Sequence, residues 1–417
     1  MIGFFLAAQG PNRFNWRTSS QYRKTYVIIS QTPIEAAMKR RIFKPEHEMF
    51  RKSFRGYLKD KIIPHYDDWE KDGITPRKVW LEAGKNGWLC PAAEERFGGP
   101  GGDFLYSLII TEELYYHTLS GLFWWVHSDI FLPYIEKYAR EPLKQKWIPR
   151  CISGETILAL AMTEPEVGSD IARLATTAQR EGDHYIVNGS KTFISNGQLA
   201  DVCIVAARTA DTGRSHDGIS LLLIETDRKG FQKGTNLNKI GLHAQDTSEL
   251  FFNDCRVPVE NRLGEEGCGF KYLMENLQQE RLLLAIGACA AAKGAFDITL
   301  DYVKKRRAFG QPIGAFQNTR FAMAEMSTKI QLAQSFLDDL IPRHMAGEDI
   351  VSEVSMAKYW ITDLQFDVAH RCLQFFGGYG YMKEFPISRH FVDARVQSIY
   401  GGTNEIMKEL IARRIGL

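Results

Sequence analysis

Hydrophobic and polar positions change their spacing twice along the chain. From about residue 45 to 150 apolar side chains recur at helical intervals. Lys44-Pro45-Glu46-His47-Glu48-Met49-Phe50 predicts a helix start, because proline fits a first turn that has no use for its missing N–H. Asp103 to Tyr116 predicts an apolar-rich helix, and Gly98-Gly99-Pro100-Gly101-Gly102 before it predicts a loop.

Between about 155 and 265 the period shortens. β-branched and aromatic runs such as Val202-Cys-Ile-Val-Ala and Gly218-Ile-Ser-Leu-Leu-Leu-Ile alternate with turn signals. Asn188-Gly189 and Asn196-Gly197 predict tight turns, so antiparallel connections are expected. Residues 269–311 contain no proline, and helical spacing then runs to the end. The reading is an α+β multidomain chain: a helical segment 38–153, a β segment 154–268 and a helical segment 269–417. Residues 1–37, with four basic residues and one acidic residue, read as a leader or extension and a poor match to a secretory signal.

Composition narrows the function classes. A formal charge of +2 over 417 residues gives no reason to expect nucleic acid or an acidic membrane surface. No uninterrupted apolar stretch reaches the roughly 18 residues of a membrane span. Seven cysteines without a CxxC pair suit buried thiols in a reduced compartment better than a disulfide framework. Neither HExxH nor a Cys/His ligand spacing occurs, so no catalytic metal is expected.

Candidate chemistry centres on Glu280. Phe270 to Phe296 is apolar nearly all round and predicts a buried helix. Its positions 3, 4 and 7 from Glu280 are Leu273, Asn276, Leu277, Leu283, Leu284 and Gly287. A carboxylate on such a face is desolvated, which raises its pKa toward the range of a working base. Arg281 points roughly 100° away along the helix and need not neutralise it. Periodicity alone favours the plainer reading, a structural buried ion pair.

Other segments offer backbone to a ligand. The loop Met162-Thr163-Glu164-Pro165-Glu166-Val167-Gly168-Ser169-Asp170 presents hydroxyls and N–H groups around a glycine. Gln374-Phe-Phe-Gly377-Gly378-Tyr-Gly380 and Tyr400-Gly401-Gly402-Thr403-Asn404-Glu405 permit close backbone approach, and neither fits a dinucleotide fingerprint after a strand. Gly189-Ser190-Lys191-Thr192 resembles a P-loop only faintly, lacking the earlier glycine.

Together these segments resemble the acyl-CoA dehydrogenase family. The resemblance runs from about residue 40 to the C-terminus, through Ala161-Met-Thr-Glu-Pro-Glu-Val-Gly-Ser-Asp170, Asn188-Gly-Ser-Lys-Thr-Phe-Ile-Ser-Asn-Gly197, Lys305-Arg-Arg-Ala-Phe-Gly310, Gln374-Phe-Phe-Gly-Gly378 and Tyr400-Gly-Gly-Thr-Asn-Glu405. It implies an N-terminal helical domain, a central β-barrel and a C-terminal four-helix bundle, assembled as a homotetramer. It also implies FAD. By motif match Met162, Thr163, Phe193, Ile194 and Ser195 fall near the flavin ring, and Thr403, Asn404 and Glu405 at further flavin contacts. Arg306, Phe309, Gln317, Gln374, Gly377 and Gly378 match positions for the adenine–diphosphate half, partly from a neighbouring subunit. Ser169, Arg281 and Gly401 match positions near the acyl-CoA, Ser169 also near the cofactor.

One departure from the commonest family pattern bears on the base. Many members carry a glutamate directly after the tyrosine at position 400, where this chain has Gly401. The long-chain and isovaleryl subfamilies place the base on the first long helix of the bundle, and Gln279-Glu280-Arg281-Leu282 matches that alternative. The resemblance thus implies Glu280 as base, a backbone N–H at Gly401 as oxyanion donor, and electron-transferring flavoprotein as acceptor. Tyr400 to Ala412 looks most like the long-chain subfamily, so a medium-to-long straight acyl chain is expected, with a branched short chain as the alternative. An acyl-CoA oxidase and a catalytically silent flavin-binding subunit are the other classes. The implied compartment is the cytoplasm for a bacterial chain and the mitochondrial matrix for a eukaryotic one.

Overall fold

The computed structural model describes residues 40–210 and 216–417. The expected leader over 1–37 lies outside the described residues.

Helix α1 (Pro45–Tyr57) begins on its proline, and the Lys44 N–H donates to His47 Nδ1 at 3.1 Å. Helices α2 (Ile63–Asp72) and α3 (Arg77–Lys85) follow. Helix α4 (Phe104–Tyr116) is capped by Asp103, whose carboxylate accepts from the Leu105 N–H at 3.0 Å. Its acidic pair is buried and matched by cations. Glu112 meets Arg40 and Arg51, while Glu113 meets Arg51 and Arg55. A turn at Trp124–Val126 and a π turn at His127–Phe131 lead into α5 (Leu132–Tyr138), then α6 (Glu141–Ile152).

The β segment is an eight-stranded sheet of β1 (Leu158–Ala161), β2 (Thr177–Glu181), β3 (His184–Ser195), β4 (Val202–Arg208), β5 (Ile219–Glu225), β6 (Phe231–Asn236), β7 (Thr247–Pro258) and β8 (Arg262–Leu263). The order is β6-β7-β3-β2-β4-β5-β8, with β1 paired to β4. Pairing is mostly antiparallel, but β1 runs parallel to β4, from Leu158 opposite Val202 to Ala161 opposite Val205. Val202, Ile204 and Ala206 face the helical core, whereas Cys203, Val205 and Ala207 face a separate core enclosed by the sheet. Burial on both faces explains why this strand reads as an unbroken apolar run.

Asn188-Gly189 is not a turn. It lies inside β3, where the register to β7 shifts between Val187 and Gly189. Gly189 has φ 145°, and a Cβ there would sit 2.6 Å from Thr176 Oγ1. The glycine admits a bulge and a close neighbour rather than a reversal. Asn196-Gly197 does form the expected turn after β3, with Asn196 at φ 62°.

The C-terminal segment is led by α7 (Gly269–Lys305), packed on α8 (Gln317–Met345) and α9 (Val351–Phe376). Helices α10 (Pro386–Ala394) and α11 (Asn404–Arg414) pack on α9. By length and composition α7 does pass as a membrane span, contrary to the expectation from uninterrupted runs, but most of its apolar window is buried inside the fold. The three segments meet at Asp393, whose buried carboxylate accepts from Ser120 Oγ at 2.8 Å and from the Leu242 N–H at 2.6 Å.

Candidate active site

Glu280 sits at the start of the fourth turn of α7, where the helix passes from half-exposed to fully buried positions. Its Oε2 is buried and has no hydrogen-bond partner among the described residues. Burial pushes the carboxyl up to about 7, against the opposing charges of Arg281 and Lys358. The expected independence of Arg281 does not hold: its guanidinium reaches the same Gly401–Gly402 loop that Glu280 faces, and its charge acts on Glu280. The turn itself is pinned from outside. Gln279 Nε2 donates to the Asp129 carbonyl at 2.6 Å, and Gln279 Oε1 lies 3.2 Å from His344 Nε2.

The loop before α11 closes over this turn. Arg281 Nε donates to the Gly401 carbonyl at 3.3 Å, and Lys358 of α9 donates to the Gly402 carbonyl at 2.7 Å. Gly401 and Gly402 have φ of 63° and 88°, a left-handed backbone that glycine adopts without strain. Tyr400 anchors the loop to α4 through a 3.0 Å hydroxyl contact with Tyr115. Thr403 caps α11, its hydroxyl accepting from the Ile406 N–H at 3.3 Å.

On the sheet side, Met162 and Thr163 are held against β3. The Thr192 N–H donates to the Thr163 carbonyl at 2.9 Å. Lys191, fully buried, donates to the Met162 carbonyl at 3.0 Å and to Glu164 Oε1 at 2.9 Å. Glu164 also accepts from the N–H groups of Ala175 and Thr176. Beside them Phe193 is 66 % exposed at φ 58°, with Ile194 buried and Ser195 half-buried. Ser169 lies exposed farther along the loop.

Two cavities gather the remaining candidates. One of about 450 Å³ is lined by Arg306, Gln374, Gly377, Gly378 and Tyr379 among others. Beside it Phe309, at φ 49°, is 94 % exposed and meets Phe316 edge to face, next to Gln317 at the start of α8. The other, about 570 Å³, is lined by Thr403, Asn404, Glu405, Arg395 and Lys408 with residues of α9. No lining residue is common to the two.

Family models for acyl-CoA dehydrogenase match three stretches: the N-terminal domain over 44–155, the middle domain over 159–255 and the C-terminal domain over 267–416. The chain belongs to the acyl-CoA dehydrogenase family. Among curated relatives, it is 49 % identical to the mitochondrial long-chain specific acyl-CoA dehydrogenase of Sus scrofa, over 90 % of this chain and 88 % of that one. The corresponding Mus musculus protein is 48 % identical over the same shares. Among solved structures, an acyl-CoA dehydrogenase from Geobacillus kaustophilus superposes with a TM-score of 0.89 at 52 % identity, covering 91 % of this chain and all of that one. The helical, β, helical architecture is that of an acyl-CoA dehydrogenase, an oxidoreductase acting on a CH–CH group in a family of flavoproteins.

The residues suit a flavin dinucleotide. A Cβ added at Gly377 or Gly378 would meet nothing within 4 Å, so this backbone is open to a ligand, and Arg306 brings a cation to the same cavity, as a diphosphate requires. Exposed Phe193 and Phe309 offer flat apolar faces. Asn404 departs from expectation: its side chain is buried and bonded to Lys358, Thr362, Asp363 and the Tyr359 carbonyl, which spends its polar atoms inside the protein. Sequence reasoning passed over Lys358, Lys191 and Glu164. Each reads as an ordinary charged residue until burial is known.

Proposed function

We propose that the chain dehydrogenates the Cα–Cβ bond of a medium-to-long-chain acyl-CoA, giving the trans-2-enoyl thioester, with Glu280 as the base. The observation that carries the reading is the buried, unpartnered Oε2 of a carboxyl lifted to about 7, facing the Gly401–Asn404 loop from α7. A base of that strength is half-ionised near neutral pH and has a free oxygen aimed at no protein donor.

A bound FAD would supply the hydride acceptor for the β-hydrogen, and an electron-transferring flavoprotein would be the onward acceptor of the electrons. Met162, Thr163, Phe193, Ile194 and Ser195 would hold its ring region, with Thr403 and Glu405. Arg306, Phe309, Gln317, Gln374, Gly377 and Gly378 would hold the diphosphate half across a contact between copies in a homotetramer. Glu280 takes the α-proton. The Gly401 N–H donates to the thioester oxygen as negative charge develops there, and a backbone donor serves whatever the side chain. Ser169 and Arg281 would lie near the acyl-CoA, Arg281 also holding the Gly401 carbonyl.

Identity near one half to long-chain relatives supports a medium-to-long straight chain. The test is anaerobic titration of the flavoprotein with acyl-CoAs of graded length, for wild type and Glu280→Gln. Bleaching of wild type with bound but unreduced Glu280→Gln is the expected result. Fastest bleaching by isovaleryl-CoA would move the substrate to the branched short-chain class. Equal bleaching of both proteins would remove Glu280 from the mechanism.

A further inference from the structure

We propose that Lys358 is a positioning residue of the active site, whose buried ammonium both clamps the Gly401–Asn404 loop and biases the ionisation of Glu280. The proposal rests on the reading of Glu280 as base. Lys358 is fully buried on α9, the helix behind the loop. Its ammonium donates to the Gly402 carbonyl at 2.7 Å and to Asn404 Oδ1 at 3.0 Å. Asn404 Nδ2 in turn lies within hydrogen-bond distance of Thr362 Oγ1, the Tyr359 carbonyl and Asp363 Oδ1, so the start of α11 is fastened to α9 by this asparagine together with the lysine. Arg281 takes the neighbouring carbonyl of Gly401. Two cations from two helices thus hold successive carbonyls of the loop whose N–H groups must be aimed at substrate.

Both oxygens that Lys358 reaches are neutral, an amide and a peptide carbonyl. A neutral donor would serve those bonds as well, without the desolvation of a buried cation. What the charge adds is its field. The groups acting on Lys358 are Arg281 and Glu280 of α7, Asp363 of α9 and Glu405 of α11, and burial brings the ammonium down to about 8. Those acting on Glu280 are Arg281 and Lys358, with the buried Tyr134 hydroxyl of α5 coupled to it from the N-terminal side. The lysine opposes the burial that would otherwise keep Glu280 protonated.

The test uses the flavin-loaded protein with Lys358→Gln, which keeps a donor without the charge, and Lys358→Arg, which keeps the charge. The Glu280 carboxyl is followed by infrared titration as the band absent from Glu280→Gln, and flavin bleaching is followed against pH. Lys358→Gln is expected to move both midpoints up by about one pH unit or more, the effect of losing a nearby opposite charge, and Lys358→Arg to restore them. A lower melting temperature with an unmoved midpoint would make Lys358 merely structural and overturn the proposal. Coupling is reciprocal, so a second measurement does not need a lysine variant to fold. In Glu280→Gln the Lys358 ammonium, read by 15N NMR, is expected to titrate below its wild-type midpoint, and an unchanged midpoint would also overturn the proposal. Shifted infrared midpoints in a protein that bleaches with no acyl-CoA would sink the dehydrogenase reading while leaving the coupling intact.

Discussion

A Cβ placed on Gly401 would lie 4.0 Å from Glu280 Oε1 and 2.2 Å from Leu284 Cδ1, so residues 401 and 280 face one spot from a loop and from a helix. The spot has room for one carboxylate, and Leu284 fills the approach from the loop. Gly401→Ala is therefore expected to lower stability, since overpacking costs about 1–3 kcal/mol and the left-handed φ adds about 1–2 kcal/mol. Moving the base across, as Glu280→Gln with Gly401→Glu, should restore little bleaching. Adding Leu284→Ala should recover it about tenfold or more, an effect of about 1.4 kcal/mol on the barrier. Full recovery without trimming Leu284 would show that the clash is relieved in another way.

The pH dependence of Glu280 has two signs. As a base it works ionised, so the bleaching rate should rise with pH through about 7. Stability runs the other way. Its carboxyl is raised from 4.5 to about 7 on folding, so the folded state holds the proton more tightly. That stabilisation is fully present below about 4.5 and is lost as pH rises through about 7. The melting temperature of Glu280→Gln should then exceed that of wild type by a margin that widens from pH 5 to pH 8, with a limit of about 3 kcal/mol. The same variant should bleach at least about 100-fold more slowly. Parallel melting curves across this pH range would mean the carboxyl is not desolvated.

Lys191 and Glu164 test the sheet side. Burial draws the ammonium down to about 8, while the Lys191 charge and the N–H groups of Ala175 and Thr176 hold the carboxyl below its ordinary range. Lys191→Met leaves a buried carboxylate without its cation, a change that costs about 3–5 kcal/mol. Thermal denaturation should show that loss, and flavin occupancy should fall because the Met162 carbonyl is released. Glu164→Gln in the same chain should return part of the stability. A double variant no better than Lys191→Met would mean the pair acts through packing rather than charge.

What could be read beforehand follows from run length and punctuation. The helical, β, helical order was legible because α4 and α7 are long apolar stretches without proline, whereas β5 is a short apolar run bounded by turn signals. Glu280 stood out because α7 is otherwise apolar around it. Asn188-Gly189 misled, since the same dipeptide serves a turn and a bulge, and only the partner strand β7 and Thr176 decide between them. Lys358 was invisible for the opposite reason. Its helix carries acids and bases at ordinary spacing, and nothing in Ala357-Lys358-Tyr359-Trp360 tells that this lysine faces inward under a loop 44 residues away.

Phe309 offers the test of the assembly. At 94 % exposure it contributes little to the stability of a single chain, and its left-handed backbone between Ala308 and Gly310 presents the ring outward from the hairpin after α7. Phe309→Ser should therefore change the unfolding free energy of the isolated chain by no more than about 0.5 kcal/mol. If the ring closes the cofactor site of a neighbouring copy, the same substitution should lower flavin occupancy and shift the assembly toward smaller species. Flavin absorbance per chain and light scattering would be read together. Full flavin with an unchanged assembly would place Phe309 outside the interface, and the diphosphate half of the site would then rest on Arg306, Gln317, Gln374 and the Gly377-Gly378 backbone.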